Sequence, residues 1–147
     1  MLSRNSPVGG VGAISQAMAT AASGMSAQAL RMRLATENLT NAESTAAVPG
    51  GDPYSRRVLT FEQQVDRASG AQLVVPGRIT RDPGDFRLEY DPGHPAADER
   101  GYVKLPNVQP LIEQADLRAA QISYEASVAV VQQARSMYAK TLDILKG

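Results

Sequence analysis

The sequence predicts a mainly α fold with a small β-rich insert: long N- and C-terminal helices pairing as a coiled-coil-like hairpin, and between them short antiparallel strands and loops. Three patterns carry that prediction. Ile14, Met18, Ala21, Met25, Met32, Ala35 and Leu39 keep an alternating four-then-three spacing that only Gln28 interrupts, the signature of a helix packed along a seam. Val108, Ile112, Ala115, Ala119, Ile122, Ala126, Val130, Met137 and Ile144 form a second helical stripe, widened by Val128, Val131, Tyr138, Leu142 and Leu145. Between the stripes the chain turns to Pro-Gly punctuation and period-two alternation.

The first helix is expected over residues 13–40, a stretch rich in Ala, Met, Leu, Gln and Arg and free of proline. Its length is about 42 Å at roughly 1.5 Å per residue, more than a small core requires. Gly24 inside it costs roughly 1 kcal/mol against alanine, a cost more easily understood if another helix backbone packs closely there, with a kink as the duller alternative. Asn41, Ser44 and Thr45, then Pro49-Gly50-Gly51-Asp52-Pro53, end the helix near Asn41. Arg57, Leu59 and Phe61 alternate with Val58, Thr60 and Glu62, and Phe86, Leu88 and Tyr90 alternate with Arg87 and Glu89. That pattern predicts half-buried strands, with shorter ones over 72–75 and 78–80. Pro76-Gly77, Asp82-Pro83-Gly84 and Asp91-Pro92-Gly93 are turn signals, the last opening a polar loop that runs to Gly101. The second helix is expected from about Val108 to Leu145. Residues 1–45 and 107–147 are thus assigned to the terminal helices, and 46–106 to the β- and loop-rich middle.

At 147 residues the chain has the length of one domain. Fifteen basic and fifteen acidic residues balance, leaving no net attraction toward nucleic acid or an anionic membrane. Without cysteine, disulfides, thiolate metal sites and a cysteine nucleophile are excluded. Residues 1–12 read as a flexible leader lacking the charged and apolar regions of a cleavable signal peptide. No run approaches the 18 or so apolar residues of a membrane span.

Catalytic, cofactor-binding and metal-ligating residues are not expected. Gly9-Gly10-Val11-Gly12 precedes a helix, where glycine loops cradle phosphate, but no strand leads into it and no Gly-Lys-Ser/Thr follows, so it reads as leader. His94, the single histidine, lies near Asp91, Asp98 and Glu99, yet no partner stands at a metal-ligand or general-base spacing; it reads as a turn histidine making a local hydrogen bond. Arg56-Arg57 and Arg31-x-Arg33 sit among Asp52, Glu62 and Glu37, and read as solvated faces or intersubunit salt bridges rather than phosphate contacts. The methionine-rich seam reads as helix packing rather than as an adaptable peptide groove.

The segment 35–45, with Asn38-Leu39-Thr40-Asn41-Ala42 at its centre, resembles the end of the N-terminal helix in bacterial flagellar axial proteins. Three further blocks are similar to the flagellar basal-body rod protein C family of proximal-rod subunits: Pro49-Gly50-Gly51-Asp52-Pro53-Tyr54-Ser55-Arg56-Arg57, Tyr90-Asp91-Pro92-Gly93-His94-Pro95-Ala96-Ala97-Asp98, and Gly101-Tyr102-Val103-Lys104-Leu105-Pro106-Asn107-Val108. Ser123-Tyr124-Glu125-Ala126 and Ala139-Lys140-Thr141-Leu142 extend the likeness, while Thr40 and Glu43 depart from the usual alanine and asparagine. The resemblance implies a structural, non-enzymatic role in a torque-transmitting shaft, with the terminal helices as the inner axial domain. It also implies passage through the flagellar type III export apparatus without signal cleavage, a periplasmic location in the basal body, and as partners other copies of the chain, other rod proteins and the rod base near the membrane ring.

The residues expected to carry assembly are Ile14, Met18, Ala21, Met25, Met32, Ala35, Asn38, Leu39 and Asn41 on the first helix, and Ile112, Ala115, Ala119, Ile122, Ala126, Val130, Met137, Leu142 and Ile144 on the second. The rival readings are a helical adaptor or secretion chaperone and, with less support, an enzyme built on the His94 loop.

Overall fold

The computed structural model describes residues 7–147 and is mainly helical, with two long helices flanking two small sheets. The order is α1 (Pro7–Thr40), β1 (Arg57–Val65), β2 (Gln72–Arg81), β3 (Arg87–Tyr90), β4 (Tyr102–Leu105) and α2 (Pro110–Lys146). β1 pairs with β2, and β3 with β4. Among the described residues no helix is long and apolar enough to cross a membrane.

α1 begins earlier than expected: residues 7–12 are helical, glycines included. A proline at the first helical position lacks only an N–H that would be unpaired there in any case, and the alanine-rich continuation propagates the helix through the costly glycines. The rest of the expected leader, residues 1–6, lies outside the described residues. At its other end α1 stops where the asparagines predict. The Asn41 side chain donates to the Glu37 carbonyl at 2.9 Å, and Ser44 Oγ donates to the Asn41 carbonyl at 3.0 Å, satisfying carbonyls that the helix leaves orphaned. α2 starts at Pro110, two residues beyond Val108, and carries Glu113 in its first turn, where a negative charge suits the helix dipole.

The middle differs from its expected form in three respects. The two short strands over 72–75 and 78–80 are one strand, β2, which runs through Pro76-Gly77; a two-stranded sheet has only edges, and an edge tolerates the missing N–H of proline. β4 was not expected, although Tyr102-Val103-Lys104-Leu105 pairs antiparallel with β3 from Arg87↔Leu105 to Tyr90↔Tyr102. The strands are also less buried than their alternation suggests: Phe61, Leu88 and Tyr90 are exposed, because a two-stranded ribbon has no second layer to cover its outer face.

The chain forms two compact units, each drawing on both helices and on the middle segment. Unit 1 holds the described residues up to Leu30, with Phe61–Gly77 and Ala120–Gly147; unit 2 holds Arg31–Thr60 and Arg78–Ala119.

In unit 1, α1 and α2 pack antiparallel through small residues. Ala27 and Ala120 are almost fully enclosed, Ala21 and Ala134 are buried, and a Cβ added at Gly24 would stand 3.3 Å from Ser127 Oγ. The helices approach closely because nothing bulky separates them, which accounts for the glycine without a kink. The turn between β1 and β2 also rests on α1: Gln16 Nε2 donates to the Ser69 carbonyl, and the Val74 N–H donates to Ser23 Oγ at 3.1 Å. Within that turn, hydrogen bonds from Ser69 Oγ at 2.6 Å and the Ala68 N–H at 3.2 Å hold the Asp66 carboxyl below its ordinary range.

Unit 2 packs Leu34, Ala35, Ala42, Ala96, Val103, Pro106 and Val108 into its interior. Its long loop is a chain of tight turns: the Asp91 N–H donates to the Gly101 carbonyl at 3.0 Å, and Asp98 Oδ1 accepts from the Arg100 and Tyr102 N–H groups at 2.9 Å each. Gly101 takes φ +85°, a left-handed conformation that disfavours other residues.

The seam in unit 1 yields a paired test. Ala120→Leu should cost about 1–3 kcal/mol by overpacking, whereas Ala119→Leu, on an exposed neighbouring position, should change stability by less than about 0.5 kcal/mol. Urea unfolding followed by far-ultraviolet circular dichroism reads both.

Candidate assembly interface

The face of α2 that pairs with α1 is not the apolar stripe. Buried positions on α2 are Glu113, Ala120 and Ala134, a seven-residue series that Ser127 completes. The expected stripe points elsewhere: Ile112, Ala115, Ala119, Ile122, Ala126, Val130, Met137, Leu142 and Ile144 are all exposed, Ile122 at 60% and Ile144 at 80%. The physical reason is close packing. Small side chains let two helices approach, so the small-residue face turns inward and the large side chains of the expected stripe are left outside, while Leu117, Tyr124, Val128 and Val131 are half-buried.

On α1 the expected seam is divided. Ile14, Ala21, Ala35 and Asn38 are buried within the chain, so their surface is already spent; Met18, Met25, Met32, Leu39 and Asn41 are half-buried. Ala27 and Leu34, which the four-then-three pattern omits, are buried as well. In unit 1 the two helices border an apolar groove of about 790 Å³ lined by Ile14, Ala17, Val130, Ala134, Met137 and Ile144. Exposed apolar side chains are gathered here rather than scattered singly over the surface.

Unit 2 is held by a polar cluster around Asn38, which is 1% exposed. Its Oδ1 accepts from the Arg57 N–H at 2.9 Å and from the Tyr54 hydroxyl at 2.6 Å; its Nδ2 donates to the Arg57 carbonyl at 3.0 Å and to Glu113 Oε2 at 3.3 Å. The amide thus pairs with both backbone groups of the first β1 residue, as a neighbouring strand would. Glu113 is equally buried and is ion-paired with Arg56, whose guanidinium also reaches Asp82 at 3.4 Å. Burial pulls the Arg56 pKa down, but Glu113 and Asp82 outweigh it and hold the group above its ordinary value. Asn107 Oδ1 accepts from the Arg56 N–H at 2.7 Å, and its Nδ2 donates to the Asp82 and Gly84 carbonyls.

These contacts correct the reading of the basic clusters. Arg31 pairs with Asp116, Arg56 with Glu113 and Arg57 with Glu37, so three of the four arginines bind within the chain; only side-chain pairing through the fold, invisible in sequence spacing, brings each acid to its arginine. His94 makes the local bond expected of a turn residue, its Nδ1 accepting the Ala96 N–H at 3.0 Å. It borders a polar recess of about 300 Å³ with Glu43, Arg87, Glu89 and Asp91.

Arg56→Met should cost about 3–5 kcal/mol by leaving the Glu113 charge buried and unpaired, and Arg56→Met/Glu113→Leu should recover much of that loss, as read by chemical unfolding. Tyr54 supplies a pH test. Burial first, and Glu37 second, push its phenol above the ordinary value of 10.0. Folding therefore favours the protonated form, so this stabilisation is complete below pH 10.0 and is lost as pH rises through the folded-state value. The urea midpoint should fall more steeply above about pH 10 than it does in Tyr54→Phe, which lacks the titrating group.

Residues 99–144 match the family described as flagellar basal body rod FlgEFG protein C-terminal. The flagellar basal-body rod protein FlgC of Agrobacterium fabrum is 47% identical over 133 residues, covering 90% of this chain and 96% of that protein. The protein of the same name from Aquifex aeolicus is 38% identical over 133 residues, covering 90% and 98%, and that of Escherichia coli O6:H1 is 38% identical over 126 residues, covering 84% and 92%. With such identity sustained across nearly the full length of each partner, the chain belongs to the flagellar basal-body rod protein FlgC family.

Proposed function

We propose that this chain, a structural subunit of the flagellar basal-body rod, enters the proximal rod by helical self-assembly through its terminal helices. The observation that carries this reading is the outward apolar face of α2. Leu111 and Ile112 in unit 2, and Ile122, Val130, Met137, Ile144 and Leu145 in unit 1, are exposed large side chains on one helix. Each Å² of apolar surface removed from water is worth roughly 25 cal/mol, so neighbouring subunits that cover these residues supply stabilisation which the chain does not gain alone. Surfaces joined head to tail without closing generate a filament, the architecture a shaft requires.

In this reading the terminal helices, residues 1–45 and 107–147, form the inner axial domain, and the middle segment 46–106 lies outside it against neighbouring subunits. The outer face of α2 is the principal contact, joined by the half-buried Met18, Met25, Met32 and Leu39. The partners are further copies of this chain, other rod proteins and the rod base near the membrane ring. The flagellar type III export apparatus delivers the chain to the periplasm without signal cleavage. No catalytic step is assigned: the His94 ring is engaged by its own loop, and the polar cluster of unit 2 is internally paired.

Ile122→Asp and Val130→Asp test the assignment. Both positions are exposed, so the isolated chain should keep its stability within about 0.5 kcal/mol, while a charge desolvated at a subunit contact costs several kcal/mol. Cells carrying either change should yield basal bodies without complete rods in electron micrographs and should not swim. Normal swimming, with the altered chain recovered in purified basal bodies, would remove the outer face of α2 from the assembly.

A further inference from the structure

The unit 1 seam contains one polar side chain where its spacing calls for an apolar one. Gln28 follows Ile14 and Ala21 at seven-residue intervals, and both of those residues are buried. Its Oε1 is enclosed and has no hydrogen-bond partner among the described residues. Two other polar side chains of α1 in this unit are engaged: Gln16 donates to the Ser69 carbonyl, and Ser23 Oγ donates to the Thr20 carbonyl at 2.7 Å while accepting the Val74 N–H at 3.1 Å. On the opposite helix Ala120 is fully enclosed. An acceptor removed from water without a donor disfavours the state that buries it, by roughly tenfold or more in population.

We infer that Gln28 is a built-in weak point in the closed α1–α2 pairing of the free chain, biasing unit 1 against settling as a finished hairpin before it meets its neighbours. The inference rests on the assembly reading above for its purpose, but its physical content concerns the isolated chain alone. A single polar residue at a seam position is a known means of lowering the stability of one helix pairing relative to its competitors. Methionine matches glutamine in length and lack of branching, and α1 already places Met18, Met25 and Met32 on the same stripe.

Amide hydrogen exchange over residues 21–30, measured on the dilute full-length chain, tests the weak point directly. Gln28→Met, or Gln28→Leu if methionine packs poorly, should slow exchange roughly tenfold, while Gln132→Met at an exposed position should not. Exchange that is unchanged or faster in both Gln28 variants overturns the inference. The second measurement is the yield of complete rods from cells carrying Gln28→Met, expected to fall although the chain is more stable. A slower-exchanging variant that assembles as many rods as the parent overturns the role in assembly. Because the exchange experiment involves no polymer, its outcome is separable from that of Ile122→Asp.

Discussion

Unit 2 is organised around the side chain of one asparagine. Asn38 lies on the last turns of α1 yet satisfies both backbone groups of Arg57, so the helix end and the start of β1 share one set of hydrogen bonds. The same amide donates to Glu113, which links it to α2 and, through Arg56, to Asp82. Buried polar groups are costly unless every atom finds a partner. Asn38 makes four such bonds, two through each end of its amide, and that completeness allows a polar cluster to stand where an apolar core would otherwise be needed. The short Asn-Leu-x-Asn-Ala run acquires a physical meaning here: Asn38 aligns the strand, Asn41 caps the helix, and Ala42 is small enough to be buried beside them.

Unit 1 follows a different logic. Its helices meet largely through glycine, alanine and serine, with Ile14 the one large apolar side chain buried on the described α1 seam of this unit, so the seam permits close approach but removes less apolar area from water. Ile122, Val130, Met137 and Ile144 of α2 remain outside, while Tyr124, Val128 and Val131 are half-buried beside the small residues. A chain that used Ile122, Val130 and Met137 to build its own hairpin would have nothing left with which to bind its neighbours; one that pairs through alanine keeps them free. In the proposed assembly this would move stability from the subunit to the polymer, and the Gln28 carbonyl, without a partner among the described residues, would act in the same direction.

The ends of the helices were legible because capping is local: Asn41 and Ser44 stop α1 through bonds to carbonyls within four residues. The polar loop from Asp91 to Gly101 was legible for the same reason, although its Asp98 turn was not singled out. The helical start at Pro7 was obscured by glycines that discourage a helix but do not forbid one. β4 was missed because four residues beside a proline make too short a pattern to separate from loop, and its existence depends on pairing with β3. Salt bridges were expected between subunits, and their partners within the chain were hidden, since Arg31 and Asp116 stand 85 positions apart.

Periodicity established that both ends of the chain are helical and that each carries an apolar stripe, since spacing is a property of residue order alone. It did not say which face of α2 turns inward. Hydrophobic spacing selects the greasiest face, whereas the pairing of two helices selects the face with the least bulk, and on α2 the two are different: Ala120 is enclosed while Ile122 is open to solvent. That choice rests on how closely two backbones can approach, a property of the pair in space that neither stretch of sequence contains.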